Sequence, residues 1–341
     1  MFDPKYTISP ELLNNITRIH KIIAGLNNQH FSGPVLMELL NSARSLSTHA
    51  STSIEGNPLP LTEVKQILQN QPSRLRDSEK EVVNYNQALI WLDKEIDQPK
   101  IQVDLTLILH VHQSVTTGLL PQFQSGHLRQ FPVVVNDPRT RQPAYLAPEQ
   151  SDVRDLLKSL IQYLDQNKNR LDPLVLAGLF HKQFILIHPF MDGNGRTTRL
   201  ITKVLLAKLG INTFKLFSFE NYYNQNISKY FRFVGEQGDY YELASNIDFT
   251  AWLIYFTDGI IDELVRVGEI LSASTKNSQD LRPHHRKILD YLKNHSTISD
   301  KEYKNIVKRG DSTRARDFSY LMNLGLLIRH NAGPSTYYTL K

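Results

Sequence analysis

Twelve consecutive residues, His188 to Arg199, gather the side chains that chemistry on a phosphate group needs. Gly193-Asn194-Gly195 can curl its backbone N–H groups around an anion, because glycine puts no side chain in the way. The helix expected to follow points its positive end at the same spot. Arg196 and Arg199 are three residues apart and share one helix face, from which both can reach phosphate oxygens. Asp192 would repel a bare phosphate unless a cation stood between them, and Mg²⁺ suits a site of one carboxylate plus phosphate oxygens. His188 brings a group that takes a proton near neutral pH. Each part alone has an ordinary use, as a turn, a solvated helix charge or a core histidine. Together they are the parts for attack of a hydroxyl on a nucleotide phosphate.

The elements that must hold this stretch read as helices. Asp172-Pro173 starts one, a cap residue followed by proline, and it runs to about Ile187 before Pro189. The next starts at Asn194 or Gly195 and ends near Gly210. Upstream, helices are expected over Glu11 to Leu26, from Gly33-Pro34 toward Thr52, from a cap at Thr62, over Arg76 to Asp93 and over Leu105 to Thr116. Between Gly118 and Pro148 the prolines exclude a long helix, and Phe131 to Val135 followed by Asn136-Asp137-Pro138 reads as strand and turn, hence a β-hairpin.

His188-Pro189-Phe190-Met191-Asp192-Gly193-Asn194-Gly195-Arg196-Thr197-Thr198-Arg199 resembles the signature of the Fic family, H-P-F-x-[DE]-G-N-G-R-x-x-R, without departure. The resemblance implies a protein adenylyltransferase that moves AMP from ATP to a Tyr, Thr or Ser hydroxyl of a target protein, the chain itself among the candidates. It implies His188 as general base and Asp192 as Mg²⁺ ligand. Gly193, Asn194, Gly195 and Arg196 would cradle the α- and β-phosphates, and Arg199 the γ-phosphate. Relatives that phosphorylate usually replace the second glycine, so Gly195 favours nucleotidyl transfer. Gly126-His127-Leu128-Arg129 and the hairpin are similar to the family's flap, whose Val133, Val134 and Val135 would pair with an extended target segment. Asn226, with Tyr223 and Tyr230 beside it, resembles the element on the adenine side, although aromatic residues at such spacing also serve as core. Likeness to the family is compatible with a homodimer.

Ser51, Glu55 and Gly56 match the family's inhibitory-helix pattern [ST]-x-x-x-E-[GN], placed ahead of the catalytic motif. A Glu55–Arg199 pair would withhold the guanidinium from the γ-phosphate.

The expected architecture is mainly α. An N-terminal helical region spans residues 1–100 with the inhibitory helix at about 40–56, and a Fic-type core with its flap spans 101–271. A small winged-helix domain follows at 281–341, three helices and a hairpin, with the polar segment Ser272 to Asp280 as linker. That tail holds 12 Lys and Arg against 5 Asp and Glu, a balance of +7 within a chain of net +5. Lys308, Arg309, Arg314 and Arg316 could meet DNA, or the tail could meet a protein instead.

The chain has 341 residues, 40% of them hydrophobic, and no cysteine, which excludes disulfides, thiolate metal sites and cysteine nucleophiles. Its start lacks a secretory signal and no apolar run is long enough to span a membrane, so the expected location is the cytoplasm. Two other readings stay open. One is a DNA-binding regulator that senses nucleotide without transferring it. The other is a transferase of UMP, phosphocholine or a phosphoryl group. The spacing of His181 and His188 suits no zinc signature.

Overall fold

The computed structural model describes residues 2–28, 33–70, 72–96, 101–136, 142–207, 217–279, 281–323, 326–331 and 333–340. The chain divides into two compact units, one of residues 1–28 and 42–265, the other of 29–41 and 266–341. Expected turn residues Asp137 and Pro138 and the expected terminator Gly210 lie outside the described residues.

The first unit contains α1 (Pro10–Asn27), the later part of α2 (Gly33–Ile54), α3 (Leu61–Asn70), α4 (Asp77–Glu95), α5 (Leu105–Thr116), α6 (Val153–Asn167), α7 (Pro173–Ile187) and α8 (Asn194–Ala207). After these come α9 (Phe219–Gln225), α10 (Ile227–Val234), α11 (Tyr240–Leu243) and the start of α12 (Thr250–Gln279). Local chemistry sets many of the starts. Ser9 Oγ, Asp104 and Asp172 each accept a backbone N–H of the first turn, and Pro10 and Pro173 fill positions that need no donor.

α7 is apolar on nearly every face and buried from Leu174 to Phe184, the pattern of a helix surrounded by others. α8 beside it is buried from Asn194 through Leu206, although it carries Arg196, Thr197, Thr198, Arg199, Thr202 and Lys203. Charges inside a protein persist only when paired, so the surroundings of α8 must supply partners. Trp252, Leu253 and Phe256 of α12 close the core, with the indole N–H of Trp252 donating to Gly178 O at 2.7 Å.

A small sheet stands at the edge of this bundle. β1 (Val134–Asn136) runs antiparallel to β2 (Pro143–Leu146), and β2 runs parallel to β3 (Gly238–Asp239). The hairpin is present, but Phe131 precedes the strand and is exposed, so β1 starts later than its apolar run suggests. Only the fold brings β3 to β2, because two residues carry no readable strand pattern.

The second unit holds α13 (Pro283–Asn294), β4 (Ile298–Ser299), α14 (Asp300–Ile306), α15 (Asp311–Asn323), β5 (Leu327–His330) and β6 (Tyr337–Leu340). Its sheet has the order β4-β6-β5, antiparallel throughout. Ile288, Ile298, Tyr303, Phe318, Leu321 and Tyr338 form its core. The segment from Ser272 toward Asp280, expected as a linker, is helical through Gln279 as the last turns of α12. Its Ser, Thr, Lys, Asn and Gln side chains are polar, yet without Gly or Pro nothing interrupts a helix already under way. Among the described residues no helix is long and apolar enough to cross a membrane.

Candidate active site

α7 ends at His188, which takes a left-handed conformation, φ 50° and ψ 60°, while its N–H still bonds to Phe184 O at 3.0 Å. A non-glycine residue holds that conformation only when its surroundings force it. Arg129 does so from the segment before the hairpin. Its Nε donates to His188 O at 2.8 Å, its backbone N–H to Pro189 O at 2.9 Å, and its other guanidinium nitrogens to Phe131 O and Pro148 O. His188 Nδ1 lies 3.2 Å from Ile185 O. A carbonyl can only accept, so Nδ1 carries the proton and the lone pair is left on Nε2. Burial lowers the imidazole pKa below its ordinary 6.5, with the Ile185 carbonyl and the Glu55 charge pulling the other way. His188 is therefore set up as a neutral base.

The loop after it is braced from inside. Asn194 Oδ1 accepts from Phe190 N at 2.9 Å and its Nδ2 donates to Phe190 O at 2.8 Å, so this amide holds the loop shut rather than facing outward. Phe190 stacks on His112 with ring centroids 3.6 Å apart. His112 accepts from Gly126 N through Nδ1 and donates from Nε2 to Asp192 O, both at 2.9 Å, and burial takes its pKa down to about 4. Gly193 has φ +80°, and a Cβ there would lie 2.9 Å from Thr116 Cγ2. Backbone curl and tight packing both demand glycine at that point.

The charged residues of the motif meet partners from other helices. Arg199 is fully buried. Its Nε donates to Ser51 Oγ at 2.8 Å, and its NH2 to Ser51 O at 2.9 Å and to Glu55 Oε1 at 2.6 Å. Burial would lower its pKa, but Glu55, Tyr230 and Tyr85 outweigh that and raise it. Its NH1 is buried with no hydrogen-bond partner. Glu55 directly follows the last residue of α2, just before Gly56, whose φ of +95° turns the chain away. The carboxylate lies over Gly195, where an added Cβ would come within 2.1 Å of Glu55 Oε1. Asp192 is more than half exposed and accepts from Gly193 N at 2.5 Å and from Arg196 NH2 at 3.1 Å. An exposed carboxylate of this kind, next to a loop of backbone donors, fits a hard cation such as Mg²⁺.

A cavity of about 680 Å³ opens at this point. Its lining includes Glu55, His188, Gly195 and Arg199, with Asn226 and Tyr230, and Val135, Asn136 and Tyr145 of the hairpin. Asp192, Gly193, Asn194 and Arg196 are not among its lining residues. Asn226 Oδ1 caps α10 by accepting from Lys229 N at 2.9 Å. Tyr223 is buried, stacked on Tyr230 at 4.7 Å and absent from the lining, so it backs Tyr230 instead of facing the cavity. Its ring is large and apolar, and the helical spacing that suggested a contact serves the core here. Tyr230, pushed up to about 12 by burial, has its OH 2.9 Å from Nε2 of the buried His181, whose Nδ1 meets Thr202 Oγ1 at 3.0 Å. Val133, just ahead of β1, is half-buried, and Val134 in β1 is exposed; the outer edge of β1 is unpaired among the described residues.

Several residues that shape the site carried no readable signal. Arg129 stood in the flap segment without any sign of its strut role. Glu81 pairs with Arg196, and Glu220 with Lys203 and Tyr85, yet each stands in a helix that reads as ordinary.

Residues 102–206 match the model of the Fic/DOC family. The protein adenylyltransferase Fic of Drosophila melanogaster is 28% identical over 185 residues, which cover 53% of this chain and 36% of that protein. Protein adenylyltransferase fic-1 of Caenorhabditis elegans is 27% identical over 179 residues, covering 51% and 34%. The chain thus spans about a third of the length of these curated relatives. In fold it is similar to a Fic family protein from Desulfovibrio desulfuricans, with TM-score 0.68, 21% identity and 100% and 98% of the two chains covered. The Fic-1 structure from Caenorhabditis elegans gives TM-score 0.58 at 20% identity, with 78% and 73% covered. Motif, family match and mainly helical architecture agree: residues 102–206 are a domain of the Fic/DOC family, and the chain carries the helical Fic fold.

Proposed function

We propose that this protein transfers AMP from ATP to a Tyr, Thr or Ser hydroxyl of a target protein, and that Glu55 restrains the transfer. One observation carries the proposal: His188, its Nδ1 turned to Ile185 O and its Nε2 left with the lone pair, lines the same cavity as Gly195 and Arg199. The target oxygen attacks the α-phosphorus while His188 Nε2 takes its proton, a P–O bond forms with inversion, and the bond to the bridging oxygen breaks to release pyrophosphate. Backbone N–H groups at the start of α8, with Arg196 and Arg199, bind and orient the phosphates. Asp192 would hold Mg²⁺, which offsets charge on the phosphates and the leaving group. The outer edge of β1, with Val133 to Val135, is the place for an extended target segment.

The Glu55–Arg199 pair stands where the terminal phosphate would otherwise meet Arg199. ATP bound against that carboxylate has its α-phosphorus out of line with the attacking oxygen, and misplacement of about 1 Å can cost ~100-fold in rate. Intact mass after incubation with ATP and Mg²⁺ tests both parts at once, in the wild type, Glu55→Gly, and Glu55→Gly with His188→Ala. We expect AMP added to the single mutant at a rate at least ~100-fold above wild type, and none on the double mutant. Equal rates in wild type and Glu55→Gly would remove the restraint. Transfer from UTP, CTP or GTP in place of ATP would change the donor.

A further inference from the structure

Arg196 is only 3% exposed, and its ion pairs come from both sides. NH2 reaches Asp192, in the loop just ahead of α8, at 3.1 Å. NH1 is 2.6 Å from Glu81 Oε1, on the second turn of α4. Asp192 has 57% of its side chain exposed and Glu81 only 15%, so water screens the first pair far more than the second. Arg196 Nε is buried without a hydrogen-bond partner. The other Glu81 oxygen accepts from Asn57 Nδ2 at 2.7 Å. Asn57 also donates to Ser78 O at 2.9 Å and accepts from Leu59 N at 3.1 Å, so it is fixed at three points. It follows Glu55 by two residues, across the turn at Gly56.

We propose that Glu81 is a positioning residue that holds the Arg196 guanidinium beside the phosphate-binding loop and, through Asn57, joins it to the end of α2. This rests on the proposed function, in which the ligand of Arg196 is the nucleotide's phosphates. The charge arrangement makes the need plain. A buried guanidinium requires a carboxylate, and without Glu81 the only one in contact among the described residues would be Asp192. Arg196, whose NH2 already lies 3.1 Å from both Asp192 oxygens, would then turn wholly to Asp192 and tie up the carboxylate expected to hold the cation. With Glu81 in place, Arg196 is neutralised from behind, and Asp192, more than half exposed, meets the NH2 of that guanidinium alone. The same carboxylate, through Asn57, sets where the chain leaves Glu55.

Glu81→Gln keeps the size of the side chain and removes its charge, and Glu81→Asp restores the charge on a shorter stem. Both are made in Glu55→Gly protein, and binding of Mg²⁺-ATP is measured by calorimetry. We expect Glu81→Gln to weaken binding by about tenfold, the scale of one charge-assisted hydrogen bond. Glu81→Asp should recover part of the loss, and the concentration of Mg²⁺ needed for half-maximal binding should rise in the Gln variant. A Glu81→Gln protein that binds Mg²⁺-ATP as tightly as its parent overturns the proposal. A second readout needs no ligand: the side-chain ¹⁵N–H resonances of Arg196, resolved while the guanidinium is held, should broaden in the Gln variant. Unchanged Arg196 resonances equally overturn it. If the Glu55→Gly parent binds no nucleotide, the proposed function fails, and the arginine resonances still decide whether Glu81 positions Arg196.

Discussion

His188 shows how one residue's backbone sets its chemistry. The left-handed turn that ends α7 brings Nδ1 against Ile185 O, and this contact assigns the proton to Nδ1 and the lone pair to Nε2. Burial keeps the ring neutral, so its pKa lies below the ordinary value of 6.5. A base of depressed pKa stays unprotonated further into acid, and removing Glu55 takes away one charge that raises it. The acid limb of kcat/KM for AMP transfer by Glu55→Gly protein should therefore have its midpoint below about 6.5. A midpoint at or above that value would mean that the limb belongs to another group. The glycines are equally particular: Gly193 is where the backbone must curl against Thr116, and Gly195 leaves the space that the Glu55 carboxylate fills.

At the scale of elements, α2 is strapped to the core by polar contacts one turn apart. Arg44 meets Asp93 of α4 at 2.9 Å, Ser47 meets Lys203 at 3.2 Å, Ser51 meets Arg199 at 2.8 Å, and Glu55 ends the row. Ser47 and Ser51 are buried and bonded across to Glu220, Lys203 and Arg199, while Ala43, Ala50 and Ile54 of the same helix are buried as apolar contacts. The anchor is the Lys203–Glu220 pair at 3.0 Å, with Glu220 also accepting from Tyr85 at 3.0 Å and from Ser218 Oγ at 3.0 Å. Glu220 is fully buried, so Lys203→Met would strand its charge at a cost of about 3–5 kcal/mol. Urea denaturation of that variant checks the figure, and a loss under ~1 kcal/mol would show that water or another cation reaches Glu220.

At the scale of the whole molecule, the basic balance of 281–341 suggested contact with an anionic partner, but its cations are not equally available. Arg314, expected on a surface facing DNA, is buried to 2% and pairs with Asp300 and Asp311 while donating to Arg309 O. Arg309 is committed to Asp317, which also accepts from Tyr303 at 2.8 Å. Lys308 and Arg316 remain exposed. These pairs tie α14 and α15 together, so Arg314 and Arg309 belong to the fold of the second unit. Arg314→Ala should lower the unfolding midpoint of that unit, followed by hydrogen exchange of the α14 and α15 amides. Arg316→Ala should leave it unchanged and, if duplex DNA binds, reduce the salt slope of binding by about one. The reverse pattern would make Arg314 a contact residue and not a staple.

The amino-acid sequence by itself determined many of the helices, because their periodicity, caps and stops are local, although not the run of α12 through the expected linker. Asp172-Pro173 starts α7, the proline after His188 ends it, and Asn194 opens α8 within the expected range. It also determined the twelve-residue motif at the head of α8, since a phosphate-binding turn is built from adjacent residues. What the tertiary structure decided are the contacts made across long separations. Arg129 bends His188, Glu81 holds Arg196 and β3 joins β2 from residues far apart in the chain, whereas the Glu55–Arg199 pair was expected from the inhibitory-helix pattern. A lone Glu in an amphipathic helix or an Arg before a hairpin looks the same whether it meets water or a buried partner. Packing removes the water, and once it is gone each buried charge on α8 needs one particular carboxylate or hydroxyl from another helix.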